Sequence, residues 1–256
     1  MSTTPPIVET AAAPATRRFL DNLRHTPREF LASAVRSGRP QSDRSRSSFV
    51  FSSLFLHLHS VRVHRWSLRW RTTAGLGVIT AAAFVITIIT GILLMFYYKP
   101  YPDVAYLSMK DIHFVVPTGR FIRNLHRWAA NVMVVGVFLH MARVFYTSAY
   151  RRPREFNWIV GMGLLAVTLG MSFTGYLLPW DQLALWAVTV GGNMAGYTPV
   201  FGEEVRFVLL DGKEIGPNTL LRWYVLHVLF LPFVIVIFMA VHFWRVRKDG
   251  GVSGPL

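Results

Sequence analysis

The chain has 256 residues, with 27 Lys+Arg against 13 Asp+Glu, a formal net charge of +14, and no cysteine. Hydrophobic residues make up 52% and charged residues only 16%, against about a quarter charged in soluble domains. With a mean hydropathy of +0.37, this excludes the soluble nucleic-acid binder that the charge alone suggests. The missing cysteine excludes disulfides, thiolate-held zinc, Cys-ligated iron–sulfur clusters and thioether-attached haem within the chain.

Residues 1–60 read as a separate basic extension. Positions 1–16 are rich in Ala, Pro and Thr and are expected to be disordered. Positions 17–37 and 47–60 have the pattern of amphipathic helices lying on an anionic membrane leaflet. From residue 61 onward the pattern is that of an all-α membrane protein. Apolar runs predict spans over about 74–98, 121–145, 158–180 and 220–245, each long enough for a hydrocarbon core of about 30 Å. A fifth uncharged stretch, 183–202, holds four glycines, an Asn and a Pro. It is expected to form short interfacial helices rather than a span.

Basic residues set the expected orientation. Eleven Lys and Arg flank the first, third and fourth spans at one end: four over 61–73, four over 143–156 and three over 245–249. The opposite loops hold five: Lys99, Lys110, Arg120, Arg206 and Lys213. The positive-inside rule then places both termini on the cytoplasmic (n) side and the loops at 99–120 and 179–219 on the opposite (p) side. Membrane lipid is the surrounding medium, and a multi-pass protein of a bacterial cytoplasmic membrane is the expectation.

Four of the nine histidines fall inside spans: His126, His140, His227 and His242. Ionisable groups in spans are costly and mark function. In regular helices the 14-residue interval of His126 and His140 corresponds to about 40° and about 21 Å, and the 15-residue interval of His227 and His242 to about 60° and about 22 Å. Both spans run from p to n, so His126 pairs with His227 near the p side, and His140 with His242 near the n side. Two imidazoles close the axial positions of a haem iron and leave an electron carrier. Satisfied core histidines are the alternative.

The other two spans carry glycines at the same 14-residue interval: Gly77 and Gly91, Gly161 and Gly175. A porphyrin edge opposite each glycine accounts for the interval, although helix packing also uses such glycines, as expected for Gly163 and Gly170. Arg123 and Arg143 lie three residues outward from His126 and His140, positioned for haem propionates or for snorkelling to the membrane edge.

Three stretches carry a family resemblance: Gly119-Arg120-Phe121-Ile122-Arg123-Asn124-Leu125-His126-Arg127-Trp128; Thr174-Gly175-Tyr176-Leu177-Leu178-Pro179-Trp180-Asp181-Gln182 with Trp186-Ala187; and Arg247-Lys248-Asp249-Gly250-Gly251-Val252-Ser253-Gly254-Pro255-Leu256. Over about residues 66–256 the chain resembles the cytochrome b family in its short cytochrome b6 form, which shares the 15-residue interval in the last span. The resemblance implies a four-helix bundle enclosing two non-covalent b haems, low-potential at His126/His227 and high-potential at His140/His242. It implies the dihaem subunit of a quinol:cytochrome c oxidoreductase of the bc type, which couples quinol oxidation at the p side and quinone reduction at the n side to proton translocation.

Implied partners are a Rieske iron–sulfur protein, a c-type cytochrome and, since no Pro-Glu-Trp-Tyr motif occurs in this sequence, a subunit IV-like chain that carries it, in a dimeric complex. Gly75 stands where oxygenic phototrophs place a cysteine for an extra haem, so no covalent third haem is expected. Phe173, Tyr176, Trp180 and Ala187 match the p-side quinone pocket region, where aromatics also serve as interfacial belt residues. At the n side Arg247 matches a quinone- or propionate-adjacent arginine. Asp249 is either a proton-uptake group or a solvated terminal charge. Two other readings stay open: a dihaem membrane anchor of a periplasmic dehydrogenase or hydrogenase, and a non-redox four-helix transporter or scaffold.

Overall fold

A computed structural model describes residues 73–249, together with residue 27 and residues 41–46. The amphipathic helices expected over 17–37 and 47–60, the boundary between 60 and 61, and the motif residues after Asp249 lie outside the described residues. Those described are helical, with no strand among them. We number the helices α1 (Leu76–Met95), α2 (Pro102–Phe114), α3 (Gly119–Tyr146), α4 (Glu155–Leu177), α5 (Gln182–Gly196), α6 (Gly202–Leu210) and α7 (Thr219–Lys248).

Helices α1, α3, α4 and α7 are the four spans, each long and apolar enough to cross a membrane. The 30 residues of α7 amount to about 45 Å of helix. Their outward faces expose Val78, Val85, Val135, Ile159, Leu229 and Phe233, each more than half accessible. Apolar surface of that extent belongs in lipid, and the chain is an integral membrane protein.

The loops fill one end of the bundle. Helix α5 occupies the fifth apolar stretch and stops at Gly196, too short to span. Asp181 caps it, its carboxylate accepting the Ala184 N–H at 2.9 Å. Helix α2 was not foreseen: 99–120 reads as a loop, yet Pro102 at its first turn and Asp103 beside it start a 13-residue helix. Its Ala105 and Ile112 pack with Tyr98 of the α1–α2 connection and Leu220 of α7, and the cluster extends to Leu178 and Trp180. A charged, discontinuous apolar pattern concealed this helix, because only one narrow face of it is buried.

Span α7 is not a uniform helix. Leu226–Phe230 form one wide π-turn, with the Leu231 N–H donating to the Leu226 carbonyl five residues back. Pro232 follows at once. It has no N–H to give, and in a regular helix its ring meets the carbonyl four residues earlier, here that of Val228. The wide turn moves that carbonyl aside. This corrects the offset of about 60° expected from a regular helix between His227 and His242.

Candidate haem-binding site

The bundle consists of two helix pairs, α1 with α3 and α4 with α7. Each pair joins a glycine helix to a histidine helix. The structure brings His126 against His227 and His140 against His242: ring centroids stand 6.3 Å apart in both, at interplanar angles of 68° and 77°. Two imidazoles bonded end-on to opposite sides of one metal, at about 2 Å per bond, place their centroids about 6 Å apart. Both pairs therefore fit a single iron held between them. Two facing imidazoles are a donor set that suits a metal already held in a prosthetic ring.

All four glycines lie against histidine rings. A Cβ on Gly91 would stand 3.3 Å from His126 Cε1, one on Gly77 3.4 Å from His140 Cε1, one on Gly175 2.6 Å from His227 Cε1 and one on Gly161 3.8 Å from His242 Cε1. What each glycine directly faces is thus a histidine ring. Gly163 and Gly170 are packing positions, against Phe238 and Leu231 respectively.

Two further residues escaped the sequence reading. Thr90 Oγ1 donates to the Ile86 carbonyl at 2.6 Å and lies 2.9 Å from His126 Nδ1. Thr174 Oγ1 donates to the Gly170 carbonyl at 2.9 Å and lies 3.0 Å from His227 Nδ1. A hydroxyl has one proton, and here the backbone takes it. Each oxygen is left to accept from the imidazole Nδ1–H, which keeps Nε2 unprotonated as the metal-binding nitrogen. The legible signal is a repeated Thr-Gly dipeptide, Thr90-Gly91 and Thr174-Gly175. The glycines at the other end follow Leu76 and Val160, so that pair lacks the threonine support.

An apolar layer separates the two pairs. Ala83, Phe84, Met133 and Ile235 are buried together, with Leu164, Val167 and Met239 against them. Met133 lies seven residues from both His126 and His140. At the His140 end a cavity of about 90 Å³ is lined by His140, Arg143, Arg154, Asn157, Gly161 and His242. Buried Arg154 Nε has no hydrogen-bond partner there, and an N–H donor on a cation suits an anionic group such as a propionate. Arg143 lines this cavity. Arg123 at the opposite end meets His113 of α2, with a guanidinium nitrogen 3.4 Å from Nδ1.

The other expected positions divide. Phe173, Trp180 and Ala187 pack onto the cluster of Leu177, Ala184, Val188, Leu210 and Trp223, with Phe173 edge-on to Trp223 at 5.6 Å. Tyr176 points outward and is half exposed. Tyr98, beyond the end of α1, donates its hydroxyl to the Leu178 carbonyl at 2.6 Å. Burial pushes its pKa up and keeps it a neutral donor. Arg247 is half buried. Asp249 is not the solvated terminal charge that its position suggested: it is 6% exposed, and its carboxylate lies 3.5 Å from the guanidinium of Arg245, whose side chain is also fully buried.

A family model described as cytochrome b/b6/petB matches residues 48–250. The chain belongs to the cytochrome b/b6 family. It is 45% identical over 181 residues to the cytochrome b6 of Heliobacterium mobile, covering 71% of this chain and 84% of that one. It is 42% identical over 181 residues to the cytochrome b6 of a Picosynechococcus species, covering 71% and 81%. Among solved structures it resembles a chain of a hyperthermophilic respiratory Complex III, with a TM-score of 0.66 and 28% identity over 83% of this chain and 55% of that chain. Membership in the cytochrome b/b6 family makes b-type haem the prosthetic group that the paired histidines would hold.

Proposed function

We infer that the chain is the cytochrome b subunit of a bc-type quinol oxidoreductase and that it carries electrons across the membrane. The observation that carries this reading is the duplicated histidine pair, with the same 6.3 Å ring separation at both ends of one bundle. His126 and His227 hold one b haem, and His140 and His242 hold a second. Held by two histidines each, the haems would supply one-electron carriage.

The chain's own residues do the rest. Gly77, Gly91, Gly161 and Gly175 give the ligand rings room, and Thr90 and Thr174 fix the tautomer at one end. The apolar layer around Met133 excludes water between the two sites. Arg143 and Arg154, joined at the other end by Arg123, balance propionate charge. The more basic end faces the cytoplasm, which makes His126/His227 the p-side, low-potential pair and His140/His242 the n-side, high-potential pair. Residues 61–256 form the dihaem unit, and residues 1–60 extend from it on the cytoplasmic side of a bacterial membrane.

Phe173, Tyr176, Trp180 and Ala187 contribute one wall of a p-side quinol pocket. A subunit IV-like partner supplies the remaining wall, and a Rieske protein and a c-type cytochrome take up the other electron. Arg247 and Asp249 border the n-side quinone site. The test is purification of the complex in mild detergent, with haem extraction, redox titration and subunit identification. Two extractable b haems per chain and a co-purifying Rieske protein are expected. A colourless protein overturns the redox reading. A red protein accompanied by a dehydrogenase or hydrogenase subunit assigns it to a membrane anchor instead. In the variant His227→Ala the His126-end haem is lost and the other is kept; two intact redox signals refute the pairing.

A further inference from the structure

The two histidine helices have unequal intervals, 14 residues in α3 and 15 in α7, yet both ring pairs stand 6.3 Å apart. One residue is about 100° of helix rotation, enough to turn an imidazole off its partner altogether. The surplus residue is absorbed within Leu226–Phe230, where the Leu231 N–H reaches back five residues instead of four. His227 sits inside that turn, and Pro232 follows it.

We propose that the Leu226–Phe230 π-turn, held open by Pro232, is a one-residue register spacer that positions His227 as an axial ligand. Single π-turns within α-helices recur at functional sites because they turn a side chain without breaking the helix. Here the turn serves two faces at once. Upstream of it, Leu220 and Trp223 stay buried. Downstream, Ile235 stays in the central apolar layer and His242 stays on His140. Between them His227 meets Thr174 Oγ1 and the bare Cα of Gly175. A regular helix of the same length could satisfy the residues above the turn or those below it, and not both. Pro232 is a positioning residue: it touches no ligand, and it acts by denying the Val228 carbonyl its usual donor and place.

This inference rests on the dihaem reading, and the experiment separates the two. Two deletions are made in the full complex, each shortening the His227–His242 interval to 14. The first removes Val228 and carries Pro232→Ala, so that the turn closes to a regular helix and everything below it keeps its place. The second removes Val236, a half-exposed residue beyond the turn's end at Phe230. The readouts are the low-spin EPR signal, the reduced absorbance and the midpoint potential of each haem.

The first variant is expected to keep both haems with unchanged signals, and the second to lose at least one. Loss of the His126-end haem from the first variant, its failure to assemble, or equal behaviour of the two variants overturns the spacer. The unaltered complex is the control: if it lacks two haem signals, the dihaem reading fails and takes the spacer with it. If it has both, a wrong outcome in the variants sinks the spacer alone.

Discussion

Thr174 Oγ1 lies 3.0 Å from His227 Nδ1 while its own proton goes to the Gly170 carbonyl, so the threonine can only accept from the imidazole. An accepted Nδ1–H makes the ring a stronger electron donor through its other nitrogen, which favours the oxidised metal. The variant Thr174→Val keeps the shape and removes the acceptor. The expected result is a rise in the midpoint potential of the His126-end haem. One hydrogen bond of about 1 kcal/mol corresponds to a shift on the order of 40 mV for a one-electron couple. The other haem stays where it was. Redox titration of both haems checks this, and a fall in potential or a shift confined to the His140-end haem refutes it.

The four glycines are not equally crowded, and alanine substitution should grade them. At Gly175 an added methyl lands 2.6 Å from His227 Cε1; at Gly91 and Gly77 the distances are 3.3 and 3.4 Å; at Gly161 it is 3.8 Å, an ordinary contact. With an iron held between the paired rings, which stand 6.3 Å apart, neither ring would have room to retreat. Gly175→Ala is therefore expected to abolish the His126-end haem, Gly91→Ala and Gly77→Ala to lower occupancy of their own sites, and Gly161→Ala to leave both sites filled. Haem content per chain, measured by extraction and by reduced absorbance, decides. Equal tolerance at Gly175 and Gly161 would show that the rings are not the constraint.

Much of this architecture is legible in the sequence. Apolar runs locate the spans to within a few residues, since a spanning helix must be apolar over about 20 residues, and the matched intervals of His and Gly, 14 or 15 residues, point to two levels within one bundle. What stayed hidden is local. Helix α2 buries a single narrow face, too little to imprint a period on its sequence. Thr90 and Thr174 look like ordinary helix threonines until a histidine from another helix arrives at each. The 15-residue interval in α7 was visible, yet its meaning was not, because a wide turn depends on hydrogen-bond connectivity that composition does not encode. The burial of Asp249 is hidden for a related reason. Near the end of a span a charge defaults to water, and only the fold shows that Arg245 and the chain around it close over the carboxylate.

That buried pair gives the last prediction. The side chains of Arg245 and Asp249 are fully buried. The Asp249 carbonyl also accepts from Arg154 at 3.3 Å, and the Arg245 guanidinium lies 5.0 Å from the centre of the Phe156 ring. The pair thus ties the last turn of α7 to the start of α4, one turn beyond His242. Removing one charge strands the other in an apolar setting, a loss typically of about 3–5 kcal/mol. Replacing both with apolar groups of similar size is often close to neutral. Asp249→Leu alone should therefore lower the temperature at which the His140-end haem is released, with the His126-end haem released later. Arg245→Met combined with Asp249→Leu should recover most of that loss. Thermal release, followed by absorbance at each haem's own potential, distinguishes the cases. If the double variant is no more stable than Asp249→Leu, the pair matters as charges for binding an anion at that end, and the structural tie is refuted.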